Sequence, residues 1–166
     1  MDFLTDLESC IPSLRRYARA LLRDGERADD LVQDCLERAL SRRHLWRGGP
    51  TLRPWLFRIM HNLHANQARA WSTRPRHDPI DEAALPPVDE SQTAHLALGE
   101  MAKALGSLPQ EQARVVLLVA LEGLSYQEVA EILDVPVGTV MSRLSRARER
   151  LRALLSADGT VLRRVK

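Results

Sequence analysis

Leu4, Leu7, Ile11, Leu14, Ala18 and Leu21 recur at intervals of three and four, the spacing that lines apolar side chains along one face of an α-helix. The stripe ends near "RDGE". A second stripe follows at Leu31, Val32, Cys35, Leu36, Ala39 and Leu40, and a third at Trp55, Leu56, Ile59, Met60 and Leu63. The short loop "LWRGGPTLRP" separates them. From Ser72 to His95 the periodicity stops, and four prolines and five acids in "STRPRHDPIDEAALPPVDESQ" predict a flexible linker. Helical spacing resumes from Leu96 to Leu105. "SLPQEQARVVLLVALEG" then predicts a helix with Pro109 in its first turn and a stop at Gly123. The pattern therefore predicts an all-α fold of two small helical domains, residues 1–71 and 96–166, joined by an acidic linker over 72–95.

The second domain carries a local signature. In "LSYQEVAEIL", Ser125 precedes Glu128 by three residues, so hydroxyl and carboxylate can each satisfy a backbone N–H of the first turn. The helix ends at "LDVP", where Asp134 tolerates a left-handed backbone and Pro136 fits only the first turn of a following helix. Two short helices across a tight turn make a helix-turn-helix. In the second of them Val140, Leu144, Ala147, Leu151 and Leu154 form the inward stripe, while Thr139, Ser142, Arg143 and Arg146 share an outward face. Such side chains at the start of a second helix hydrogen-bond base edges in a major groove. Arg148, Arg150 and Arg152 extend the surface towards a phosphate backbone. A merely solvated helix would interleave acids for i,i+4 pairing, and here only Glu149 does so.

Charge sharpens this picture. The net charge is only +2, but residues 1–71 carry 12 bases against 9 acids, 72–95 carry 2 against 5, and 96–166 carry 10 against 8. Two basic lobes flank an acidic tether. No run approaches the length of a membrane span, and "MDFLTDLESC" lacks the basic and apolar regions of a signal peptide, so the chain is expected in the cytoplasm. Cys10 and Cys35 fall on apolar stripes and are expected as buried thiols. His61 and His64 have no Glu or Cys at zinc spacing, no glycine-rich phosphate loop exists, and no nucleophile has a base beside it. Neither an enzyme nor a cofactor, metal or small-molecule substrate is expected.

"LSYQEVAEILDVPVGTVMSRLSRARERL" resembles the −35-reading helix-turn-helix of bacterial sigma factors of the extracytoplasmic function (ECF) group, and its G-T-V-x-S-R-L-x-R-A-R string is specific. "ADDLVQDCLERAL" resembles the helix that docks on the β′ clamp of RNA polymerase, and "LRPWLFRIMHNLHANQ" the helix that melts and reads the −10 element. The resemblance covers roughly residues 3 to 155, both lobes and the linker. The resemblance implies a factor that binds core RNA polymerase through its β and β′ subunits, directs it to promoter DNA, and is restrained by an anti-sigma factor. It implies −35 contacts from Thr139, Met141, Ser142, Arg143, Ser145, Arg146, Arg148 and Arg150, and −10 contacts from Trp46, Arg47, Gly48, Arg58 and Asn62. Polymerase docking falls to Asp30, Gln33, Asp34 and Glu37. These four stand off the apolar stripe as an acid and amide face suited to a basic partner. The paired glycines beside Trp46 and Arg47 would let backbone approach an unstacked base, although Trp46 could instead join the core, as Trp55 is expected to. In this family the linker runs towards the RNA exit channel; here it could equally be a plain tether. Met141 and Ser145 depart from the side chains common at those positions, so the −35 sequence does not carry over. The rival reading is a free-standing helix-turn-helix regulator, or a decoy for an anti-sigma factor, neither of which needs a docking face.

Overall fold

The computed structural model describes residues 2–49, 51–71 and 92–157, and the expected linker lies almost wholly outside them. The described residues form α-helices and no strand. The first lobe contains α1 (Phe3–Leu22), α2 (Gly25–Ser41) and α3 (Arg53–Trp71). Arg23 closes α1 in a left-handed conformation, and Asp24 immediately caps α2 by accepting from the Arg27 N–H at 3.0 Å. Stop and start signals in adjacent residues fold α2 back along α1. Leu14, Ala18, Leu31, Cys35, Leu56, Phe57 and Met60 fill the space between the three helices, and Tyr17 meets Phe57 edge-on at 5.2 Å. Leu4 and Leu40 belong to the apolar stripes by spacing but sit exposed near the ends of their helices. The Cys35 thiol donates to the Leu56 carbonyl at 3.4 Å, and burial pushes its pKa up to about 12.

The second lobe contains α4 (Gln92–Gly106), α5 (Gln110–Val116), α6 (Tyr126–Leu133) and α7 (Val137–Ala157). Two boundaries differ from the sequence pattern. Helix α4 begins at Gln92 rather than Leu96, because the polar residues there contain no proline or glycine and can extend a helix without showing an apolar period. The helix expected from Pro109 to Gly123 is α only to Val116; Leu117–Leu121 widen into a π turn. Its closing bond runs from the Glu122 N–H to the Leu117 carbonyl at 3.0 Å. One extra residue in a turn rotates everything after it, and this turn delivers Glu122 inward. Gly123, at φ +67°, then reverses the chain into α6.

The helix-turn-helix forms as its residues dictate. Ser125 and Glu128 make a reciprocal capping box, Asp134 takes φ 54° and ψ 51°, and the Pro136 carbonyl accepts from Thr139 and Val140 as α7 begins. Val115, Leu118, Val129, Ile132, Val140, Leu144 and Ala147 make the core, with Leu151 and Leu154 half-buried. The two lobes also pack on each other, α3 against α6 and α1 against the π turn, so that one apolar core runs through both.

Candidate nucleic-acid interface

Helix α7 carries the outward polar face. Met141, Ser142, Ser145, Arg146, Arg148, Arg150 and Arg152 are exposed, and Thr139 is half-buried. The Ser142 hydroxyl donates back to the Thr139 carbonyl at 3.1 Å. Arg143 departs from the expected outward placement: its guanidinium turns to Glu111 on α5 at 3.2 Å and is only 23% exposed. Between α6 and α7 a shallow groove of about 250 Å³ opens beside Tyr126, Met141, Ser145 and Arg148.

On the first lobe, the loop after α2 brings Trp46 against Trp55 at 5.7 Å between ring centroids, and Trp55 meets Phe3 at 6.3 Å. The Trp46 ring leans on Trp55 at the edge of the core and stays half-exposed. Trp55 itself is half-buried at the rim of the core rather than within it. Gly48 takes φ +78°, and a Cβ on Gly49 would come within 3.2 Å of the Trp46 ring, so the loop's shape depends on both glycines. Arg47 is exposed. Arg58 and Asn62, one turn apart on α3, project together into solvent.

Asp30, Gln33, Asp34 and Glu37 form an exposed row along α2. Gln33 donates to Glu37 at 3.1 Å, and Gln67 of α3 donates to Asp34 at 3.2 Å, which ties the row to the neighbouring helix. A groove of about 390 Å³ runs alongside, lined by Asp34, Glu37, Arg38, Ser41 and Leu63. The acidic row is thus accessible and flanked by a mostly polar groove.

A third cluster lies in the seam between the lobes. Glu122 is 4% exposed, and its carboxylate accepts from the Ser13 hydroxyl, from Arg16 through Nε at 2.9 Å and Nη2 at 2.8 Å, and from Arg53 Nη2 at 2.8 Å. Nearby, Arg114 Nη2 faces His64 Nδ1 at 2.9 Å. Burial first, then the Arg114 charge, lowers both His61 and His64 to a pKa of about 4, so both are neutral near pH 7. No group of three metal-ligating side chains converges among the described residues.

Residues 7–61 match the family model described as the Sigma2 domain of PhyR, and residues 98–151 match sigma-70 region 4. The chain is 40% identical over 154 residues to the ECF RNA polymerase sigma factor EcfG of Rhodopseudomonas palustris, covering 93% of this chain and 85% of that one. The chain belongs to the ECF sigma factors. It is also 34% identical over 132 residues to the ECF sigma-E factor of Escherichia coli K12, covering 72% and 69% of the two chains. The solved complex of the sigma factor RpoE with the anti-sigma factor NepR from Bartonella quintana superimposes with a TM-score of 0.76 at 32% identity, covering 95% of this chain and 98% of that one.

As a sigma factor, this is a transcription initiation factor that serves RNA polymerase, and the two matched regions fall one in each lobe. The sigma factor's seam residues, Ser13, Arg16, Arg53, Arg114 and Glu122, escape sequence reasoning. One signal was present: Glu122 is the sole charge between Val115 and Leu124, and a carboxylate inside so apolar a run calls for a buried partner.

Proposed function

We propose that residues 1–71 form the lobe that docks on core polymerase and reads and melts the −10 element, that 72–95 connect the lobes, and that 96–166 read the −35 element. In this reading Asp30, Gln33, Asp34 and Glu37 meet the polymerase. Trp46, Arg47, Gly48, Arg58 and Asn62 take the −10 strand. Thr139, Met141, Ser142, Ser145 and Arg146 enter the −35 major groove, with Arg148 and Arg150 on phosphates, while Arg143, paired with Glu111, braces α7 against α5. The chain works in the cytoplasm as a binding factor, and the polymerase performs the chemistry. The Bartonella relative was solved with an anti-sigma factor; this chain is restrained by a partner of the same kind.

The observation that carries the reading is the accessible row on α2, an acid and amide surface on the lobe opposite the helix-turn-helix. A free-standing regulator would have no use for it, and a decoy for an anti-sigma factor would not co-elute with core polymerase. The test is co-elution with core polymerase of the wild type and of a Gln33→Ala, Asp34→Lys double variant. Both substituted side chains are exposed, so helicity should be unchanged while association is lost. Unchanged association would remove the docking face from this account.

A further inference from the structure

Glu122 is the second lobe's contribution to a site otherwise built entirely by the first. Arg16 offers a two-pronged fork at 2.9 and 2.8 Å, Arg53 adds a second guanidinium at 2.8 Å, and Ser13 adds a hydroxyl. Arg53 Nη2 also donates to the Glu122 backbone carbonyl at 2.8 Å. Paired guanidiniums and a hydroxyl around one planar or tetrahedral anion are the donor set that carboxylate and phosphate share. Arg53 is the first residue of α3, directly after the Trp46–Gly49 loop and on the same helix as Arg58 and Asn62. The anion site therefore lies at the end of α3 that follows the loop assigned to the −10 strand, while Arg58 and Asn62 occupy the solvent side of the same helix.

The closed arrangement is incompatible with a promoter bound at both ends. Elements named −35 and −10 lie about 25 base pairs apart, or ~85 Å at 3.4 Å per step. A compact chain of 166 residues has a radius of gyration of about 15 Å, and so a diameter near ~40 Å. The lobes have to part. The seam is also imperfectly satisfied: Arg53 Nε, His61 Nδ1 and Arg114 Nε are buried with no hydrogen-bond partner among the described residues. Parting the lobes would return these atoms to water, and would leave Ser13, Arg16 and Arg53 together on the first lobe without their anion.

We propose that Ser13, Arg16 and Arg53 form an anion site that Glu122 fills while the lobes are closed and that a backbone phosphate of promoter DNA fills once they part. Glu122 is then an internal competitor of DNA as well as the clasp of the closed form. The proposal rests on the assignment of the first lobe to the −10 region.

The test compares Glu122→Gln, Arg16→Gln and Arg53→Gln in the full chain by two measurements. The first is the radius of gyration of the free protein from small-angle X-ray scattering. All three variants lose the clasp and should give a larger radius than the wild type. The second is affinity for a promoter already mismatched across the −10 region, measured over a salt series with protein reconstituted with core polymerase. Here the variants should divide. Glu122→Gln keeps the wild-type salt slope, whereas Arg16→Gln and Arg53→Gln weaken binding and flatten the log–log slope by about 0.7 to 0.9 for each lost phosphate contact.

Arginine variants with wild-type affinity at every salt concentration would overturn the phosphate role. A wild-type radius in all three variants would overturn the clasp. Should Glu122→Gln fail to fold, Arg16→Gln breaks the same clasp from a side chain that is half exposed. Failure of the underlying assignment shows separately, as a wild-type complex that does not bind the promoter at all.

Discussion

Acidifying the protein from pH 7 to pH 5 should loosen the seam through His64. This imidazole is 5% exposed on α3, and its Nδ1 accepts from Arg114 of α5. Its other charged or titratable neighbours are His61 on α3 and Arg27 on α2, while Arg143 of α7 acts on His61. Burial, and then these guanidiniums, hold the His64 pKa at about 4, against 6.5 for a solvated histidine. Because the folded value lies below the unfolded one, the neutral ring stabilises the fold fully above pH 6.5, and that contribution is lost as pH falls towards 4. Between pH 7 and pH 5 the loss for this one ring is about 2 kcal/mol. At ~2–4 °C per kcal/mol for a chain of this size, the melting temperature should fall by roughly 4–8 °C on its account. His64→Gln keeps an acceptor for Arg114 and removes the proton site. The assay is the melting temperature of wild type and variant at half-unit pH steps from 7.5 to 5. The wild-type curve should fall more steeply by that amount, with the difference confined below pH 6.5. Parallel curves would refute the claim that a neutral His64 holds the seam.

If Asn62 captures an unstacked −10 base, Asn62→Ala should impair open-complex formation on duplex promoters but spare templates already mismatched there, since the mismatch removes the unpairing cost. Permanganate footprinting on both templates checks this. Arg146→Ala should cost about 1–3 kcal/mol and relax preference at one or two −35 positions, whereas Arg150→Ala should weaken all promoters alike and flatten the salt slope by about 0.9. Selection from a randomised −35 pool at two salt concentrations reads both effects.

The helix-turn-helix was legible because each of its signals is local. Ser125 and Glu128 cap one another, Asp134 adopts the left-handed turn its side chain tolerates, and the Val140 to Ala147 stripe faces inward. The exposed row on α2 followed from the same period, since residues off an apolar stripe face water. The π turn at Leu117–Leu121 was not legible, because "VVLLVAL" is apolar on every side and marks no face from which a shift in phase could be noticed. The partner of Arg143 was hidden for a different reason. Glu111 lies 32 residues earlier in sequence (143 − 111), and only the packing of α5 on α7 brings the two together. Glu122 escaped on both counts, being set by the π turn and satisfied by residues more than 65 positions away.

The central claim is that this chain acts by directing core polymerase to a promoter with two separated elements. It is tested most directly by in vitro transcription of fragmented genomic DNA with core enzyme, with and without the protein, followed by mapping of RNA 5′ ends. The account predicts starts that depend on the protein and share two upstream motifs, centred near −35 and −10. Starts unchanged by its addition, with specific duplex binding by the protein alone, would contradict it.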